Sequence, residues 1–386
     1  MATLGLYLHI PFCRSKCHYC DFCSMPRADG ETVAAYVRAM QEDLVKKAPA
    51  CRAYTVDTVY FGGGTPTCLS ARQLSSLLET VKAEYHLLPD AEITLECNPA
   101  TGSYEDFLAL RRAGFNRMSI GLQSAHKNEL RALGRLHDFD GFLRTWEAAV
   151  RAGFTNLSAD VMQGIPEQTR RSYLETLTRL VSVSPSHISA YALSVEEGTN
   201  FGNRRDSLIL PDEEETRAMY MEGSAFLARH GYAQYEISNF ARKGYRSRHN
   251  LKYWSCEEYL GFGPAAYSFF GGERFGNSRD VEGYIKGMTV ECEREAVTLW
   301  EAANEYVMLQ MRLGDGIDVS LFNARFPYGF EETFGTALSR YLPSGLVLRT
   351  ARGYAFSREG MYVSNTILSD ILDFSEAPPD KNGKVS

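Results

Sequence analysis

No stretch of about 18 apolar residues occurs in this 386-residue chain, so no membrane-spanning helix is expected. Excess basic charge is lacking as well. The 41 Lys and Arg against 48 Asp and Glu leave a net charge of −7, and no global positive field favours nucleic acid or anionic lipid. No secretory address is expected: Met1 to Leu8 carries no basic segment, its apolar stretch is short, and His9 and a cysteine group follow. The nine cysteines are odd in number and unevenly spread, which argues against a disulfide framework. A cytoplasmic, reducing setting is therefore expected, in which thiols serve as metal ligands or catalytic groups.

What is present is core-forming material. With 44% apolar and 12% aromatic residues, the chain can bury a large core, which excludes a disordered or collagen-like polymer. Its length suits one large domain or two unequal ones. Apolar runs at 5–9, 58–61, 92–96, 117–121, 157–160 and 187–193 are predicted strands. Amphipathic stretches at 31–47, 71–85, 104–113, 139–152, 170–183 and 212–230 are predicted helices. Strands that alternate with helices imply parallel βα units. Arg112-Ala113-Gly114-Phe115 returns as Arg151-Ala152-Gly153-Phe154 and is echoed by His230-Gly231-Tyr232. In each, glycine is expected to end a helix in the left-handed conformation, with the aromatic covering the entrance of the next strand.

The C-terminal ends of the strands are where such folds place their chemistry. The first is followed by Cys13, Cys17, Cys20 and Cys23, and the second by Gly62-Gly63-Gly64-Thr65-Pro66. The third ends in Glu96, the fourth runs into Gln123, and the fifth ends in Asp160. Five polar or glycine ends on one rim predict the mouth of a site. From about Thr298 the pattern changes to a helix (300–312), a second helical segment (331–341) and short strands or connectors at 346–350, 353–356 and 362–365, a small α+β module. The segment 375–386, rich in Pro, Lys and Asp, is predicted to be a disordered tail.

Cys13-x3-Cys17-x2-Cys20 has no second knuckle to complete a four-thiolate zinc site. Three thiolates on one short loop suit three irons of a [4Fe–4S] cube, with the fourth iron left open. Tyr7-x-His9-Ile10-Pro11-Phe12-Cys13-x3-Cys17-x-Tyr19-Cys20, with the following Gly-Gly-Gly-Thr-Pro, resembles the cluster loop of radical S-adenosylmethionine (SAM) proteins. The branch it resembles contains the oxygen-independent coproporphyrinogen III dehydrogenases and the HemW heme chaperones. The resemblance runs from about residue 4 to 372.

The resemblance implies a partial (β/α)6 TIM-like barrel at 1–240, a connector at 241–297 and a small C-terminal α+β, HemN C-terminal-like module at 298–374. It implies that Cys13, Cys17 and Cys20 ligate the cluster, whose open iron binds the amino and carboxylate groups of SAM. Electron transfer from the cluster would cleave the sulfonium bond to a 5′-deoxyadenosyl radical. Tyr7, Phe22, Gly63, Gly64, Thr65, Glu96, Gln123, Arg135 and Asp160 are the implied SAM contacts, the glycines offering close approach and N–H groups to the methionyl carboxylate.

Two functions are compatible with that loop. The dehydrogenase branch has a further cysteine two places after the third ligand and a longer leading segment; here that place is Phe22, and twelve residues precede Cys13. Both features resemble the chaperones, with oxidative decarboxylation of coproporphyrinogen III as the alternative. Cys23 lies one place further on and is expected to be a free thiol. His249-Asn250-x-x-Tyr253-Trp254 resembles the chaperones' signature, which implies His249 as a heme ligand, with Tyr253 and Trp254 as flat apolar surface and Arg246 and Arg248 near propionates. Tyr267, where the family often has His, and Cys256 are further candidate ligands. The implied partners are heme, heme-acceptor proteins, among them a transient membrane-protein acceptor, and a second copy of the chain; nucleic acid is not expected.

Overall fold

The computed structural model describes residues 2–99, 101–288, 291–375 and 377. Apart from Ser375 and Ala377, the segment read as a disordered tail lies outside the described residues. All six expected strands form: β1 (Ala2–Ile10), β2 (Tyr54–Gly63), β3 (Leu87–Cys97), β4 (Arg117–Gln123), β5 (Asn156–Gln163) and β6 (His187–Ala192). They lie side by side in chain order, all parallel. Helices α1 (Gly30–Lys47), α2 (Ala71–Glu84), α3 (Tyr104–Ala113), α4 (Phe139–Arg151) and α5 (Arg170–Ser182) connect them, and α6 (Glu213–Arg229) follows β6.

Local chemistry sets the helix ends. Ser70 with Gln73 and Ser103 with Asp106 close reciprocal capping boxes, each side chain satisfying an N–H that the helix leaves over. Gly114, Gly153 and Gly231 take φ of +119°, +92° and +85°, as the repeated glycine–aromatic pair predicts. The next residue in each case, Phe115, Phe154 or Tyr232, is buried and donates its N–H five residues back, to Leu110, Ala149 and Leu227.

Alternation along the strands separates two faces. On β1, Leu4, Leu6, Leu8 and Ile10 join one continuous core with helix residues such as Met40, Leu74 and Phe107. The opposite face carries Gly5, Tyr7 and His9. Neighbouring strands add Thr58 and Tyr60, Glu92, Thr94 and Glu96, Arg117 and Ser119, and Asp160 to that inner face. The lumen is therefore polar, unlike a closed barrel filled by layers of branched apolar side chains.

The sheet continues past both ends of the expected barrel. β7 (Asn239–Ala241) pairs antiparallel with β6. β8 (Tyr259–Phe262) runs parallel to β1 and leads into the antiparallel β9 (Tyr267–Phe270), β10 (Glu273–Asn277) and β11 (Glu291–Ala296). The stretch expected to be a connector thus contributes strands to the main sheet. These strands are short, and the partner of β8 lies at the other end of the chain, so no local pattern marks them.

Helix α7 (Arg248–Trp254) lies against the N-terminal ends of β1 to β3. Glu92 accepts the N–H groups of Arg248 (3.0 Å) and His249 (3.1 Å), placing a carboxylate on the first turn of the helix. Lys252, nearly fully buried, pairs with Asp57 at 2.9 Å and Glu257 at 2.8 Å. Gly5 is required at this contact: a Cβ there would come within 3.0 Å of Lys252 Cδ and 3.3 Å of His249 Cε1.

The C-terminal module begins with α8 (Leu299–Gln310) and has its own core, including Trp300, Phe322, Phe330, Phe334 and Tyr354. Its three-stranded sheet is formed by Ile317–Asp318, Gly353–Phe356 and Val347–Arg349. The stretch 362–365, expected to be a short strand or a connector, joins two helices. Ser357 caps the helix Arg358–Tyr362, and Ser364–Ile371 is a second helix that buries Ile367, Leu368 and Ile371 on one side. Among the described residues no helix is long and apolar enough to cross a membrane.

Candidate functional site

A cavity of about 530 Å³ opens at the C-terminal ends of the strands, within the range of small-molecule sites. Cys13, Cys17 and Cys20 all reach its wall, and all three thiols are free. The loop that carries them is tied at its base. Phe12–Cys13 pairs with Met25–Pro26, and Arg27 N donates to Cys13 O at 3.0 Å. Its far side is held by His18, whose N–H donates to Leu133 O (3.0 Å) and whose ring Nδ1 meets Ala132 O (2.9 Å). Burial pushes the Cys13 and Cys20 thiols up, opposed at Cys13 by the Thr65 hydroxyl 3.5 Å away and at Cys20 by the Phe22 N–H. A metal bound here must displace those protons.

Opposite the loop stand the strand-end residues. Glu96 is half-buried on the cavity wall, accepts from Tyr60 OH at 2.7 Å and Gly63 N at 3.2 Å, and is pushed up to about 7, chiefly by burial. Asp160 accepts from Ser119 at 2.9 Å and is likewise raised by burial. Arg135 donates to Asn98 Oδ1 (2.7 Å) and Tyr19 OH (2.9 Å). Gly121 leaves room for that pair: a Cβ there would lie 3.1 Å from Asn98 Oδ1 and 3.4 Å from the guanidinium. Gln123 is buried and held at φ +66°, a left-handed backbone at a bulge between β4 and β5, while its side chain accepts from Tyr191 OH at 2.9 Å. Such strain in a non-glycine residue concentrates at functional sites.

Phe22, Gly63, Gly64 and Thr65 also line the cavity, Phe22 being 66% exposed. The glycines do not act as expected, however. Gly63 N is given to Glu96, Gly64 N to Ile10 O (2.8 Å) and Thr65 N to Phe12 O (2.7 Å), so none of the three N–H groups is available to a carboxylate. Close approach is what they provide, because a Cβ on Gly64 would sit 2.8 Å from Phe12 O and 3.1 Å from Cys13 Sγ. Tyr7 is not on the cavity wall. It stacks on Tyr60 with centroids 6.1 Å apart, and its hydroxyl meets His9 Nδ1 at 3.1 Å.

His249 is placed differently from its expected role. Its ring is buried in the barrel floor, with Nδ1 at 2.8 Å from Thr58 Oγ1 and Nε2 at 2.8 Å from Tyr253 OH, and it stacks on Tyr60 at 5.2 Å. Both ring nitrogens are engaged, and burial holds the imidazole down to about 3, so it is neutral. In this conformation His249 positions the floor and offers no nitrogen to an iron. Tyr253 is spent on the same bond. Cys23 is buried beside the loop and donates its thiol to Arg279 O at 3.4 Å. Cys256 packs against the C-terminal module, and Tyr267 donates to Glu293 at 2.7 Å on the surface.

Sequence reasoning missed Tyr60, Asn98, Arg117, Ser119, Tyr191 and Asn250, which also line the cavity. The signal was available for the strand residues: Tyr60, Arg117, Ser119 and Tyr191 occupy inward positions of strands whose outward positions are apolar.

The sequence profile of the Radical SAM superfamily matches residues 7–180, and that of the HemN C-terminal domain matches residues 297–363. The heme chaperone HemW of Bacillus subtilis is 33% identical over 374 residues, 95% of this chain and 98% of that protein. HemW of Escherichia coli is 33% identical over 96% of this chain and 99% of its own. The mitochondrial radical S-adenosyl methionine domain-containing protein 1 of Mus musculus is 34% identical over 95% of this chain and 87% of its own. Coproporphyrinogen III oxidase (HemN) from Escherichia coli shares the fold, with a TM-score of 0.84 at 24% identity over 97% of this chain and 91% of that one.

The superfamily implies a [4Fe–4S] cluster and SAM, and the residues present fit both. Three free thiols face one cavity, yet among the described residues no three Cys, His, Asp or Glu converge on a point for a single ion. A cube takes each thiolate on a separate iron, so the three need not meet at one point. Two half-buried carboxylates could partner the cationic and hydroxyl groups of SAM, and one arginine its carboxylate. From the cysteine loop through the C-terminal module, the chain belongs to the radical SAM superfamily and, within it, to the HemW family.

Proposed function

We propose that this protein is a heme chaperone, which binds heme and passes it to acceptor proteins, and that Cys13, Cys17 and Cys20 hold its [4Fe–4S] cluster. In this reading Glu96, Gln123, Arg135 and Asp160 hold SAM by hydrogen bonds and charge, Gly63, Gly64 and Thr65 bring the second strand's turn against the cysteine loop, and Phe22 covers the lip. The bound cluster supplies an electron and an open coordination position. The protein's part is to orient SAM and shield it from water.

The observation that carries the reading is the likeness to HemW proteins over 95–96% of the chain, barrel and C-terminal module together. Phe22, at the place where the dehydrogenase branch has a further cysteine, supports it. Titration with heme is expected to give a saturable Soret shift at one heme per chain. An anaerobic assay with coproporphyrinogen III, SAM and reductant is expected to give no decarboxylated product; turnover there would replace the chaperone by the dehydrogenase.

A further inference from the structure

The lumen carries a cation that the SAM site leaves unused. Arg117, the first residue of β4, is 2% exposed and lines the cavity. Its Nε is buried without a partner, and among the described residues its guanidinium makes no hydrogen bond and no ion pair. Glu96 and Asp160 feel its charge, but neither is bonded to it. Thr94, its register neighbour on β3, also has a buried hydroxyl without a partner. A guanidinium keeps its proton and presents five donors in a planar fork, so a buried, unmatched one is strongly unfavourable unless an anion meets it. Asn250, on the floor helix α7, lines the same cavity.

Arg117 lies beneath the residues assigned to SAM: Glu96 pairs with Ser119, and Asp160 accepts from it, two residues further along β4. β4 runs parallel to β1, whose C-terminal end carries the cysteines, and Arg117 lies six residues before Gln123 on that strand. At about 3.3 Å per residue the two backbone positions are roughly 20 Å apart. A carboxylate held at the cysteine-bearing end of the cavity would be remote from the base of this arginine.

We propose that Arg117, assisted by Asn250, forms a carboxylate-binding subsite in the floor of the cavity, and that it takes a propionate arm of a tetrapyrrole entering from the mouth. The inference rests on the heme-chaperone reading and adds a place and an orientation for the cargo. A guanidinium fork matches a carboxylate in two parallel hydrogen bonds, whereas an ester offers it no charge.

The test titrates the full-length protein with hemin, with hemin dimethyl ester and with SAM. The unaltered protein is expected to prefer hemin to its ester by about tenfold or more, the size of a charge-assisted hydrogen bond. Arg117→Met is expected to bind both equally while its SAM affinity stays within about twofold; Arg117→Lys should recover part of the preference, and Asn250→Ala should lose a smaller part. Thermal melts check the fold, and if Arg117→Met does not fold, Arg117→Lys and Asn250→Ala decide. A preference that survives all three variants overturns the subsite and leaves Arg117 a water-solvated, remote counter-ion. SAM binding weakened in Arg117→Met with the preference intact assigns the carboxylate to SAM and overturns the propionate. Failure of the unaltered protein to bind hemin overturns the chaperone reading and the propionate assignment together.

Discussion

The two ends of the barrel both hold residues of the ligand-forming kind, and they differ in how far those residues are already committed. At the mouth, Cys13, Cys17 and Cys20 are free and face the cavity, and Phe22 stands exposed at its lip. At the floor, His249 has spent both nitrogens, Glu92 both oxygens, and Lys252 is held by Asp57, Glu257 and Thr3. A cysteine or histidine in a motif is a ligand only where its donor atoms remain available. The three cysteines of the mouth meet that condition, and His249 in the floor does not.

The largest expected effect lies at the mouth. Cys17→Ala should reduce iron after anaerobic reconstitution from about four per chain, as a [4Fe–4S] cube requires, to near zero. Iron and sulfide analysis reads the loss. Retention of four irons would mean that the three thiols do not form the ligand set.

At the floor the same kind of deletion should cost stability. His249→Ala leaves Thr58 Oγ1 and Tyr253 OH without their partner and removes the ring stacked on Tyr60. A loss of about 2–4 kcal/mol is expected from a urea melt, with iron content unchanged. Unchanged stability with heme affinity lost tenfold would instead make His249 an axial ligand and require the floor to open.

Between the two ends sits Glu96, raised by burial to about 7. A carboxyl whose folded value lies above its unfolded value, near 4.5, stabilises the protein fully below pH 4.5 and loses that contribution as pH rises through about 7. Neutral His249, with its value lowered, acts in the opposite direction below about 6.5. The difference between Glu96→Gln and the unaltered apoprotein isolates the carboxyl. Relative to the unaltered chain, the variant should gain up to about 2–3 kcal/mol between pH 4.5 and 7 and nothing further above. A flat difference would mean that Glu96 is ionised at an ordinary value.

These contrasts also mark what the sequence carries and what only folding supplies. The six barrel strands are legible because their outward positions, such as Met118, Ile120 and Leu122 on β4, must be apolar beneath the helices. The cysteine loop is legible because its ligands are local. β8 is not, since it pairs with a strand from the opposite end of the chain. The motif at His249 shows its residue types but not that α7 plugs the barrel. Arg117 is legible as an inward position from its alternation with Met118 and Ile120, but that it stands unpaired opposite Thr94 emerges only from the register. The glycine turn has the right residues for an anion, yet Glu96 and the backbone leading into the cysteine loop consume its N–H groups.

The smallest expected effect separates two thiols of one loop. Cys23 lies three residues beyond Cys20, but it is buried, away from the cavity wall, and donates to Arg279 O. His9 Nε2 meets its carbonyl at 2.8 Å, which holds the backbone independently of the side chain. Cys23→Ser should therefore keep about four irons per chain and lose no more than about 1 kcal/mol, because a hydroxyl can still donate to the Arg279 carbonyl in a site shaped for sulfur. Iron analysis and a thermal melt measured on one preparation test both halves. A drop to about three irons would move Cys23 from the packed side of the comparison to the cluster side.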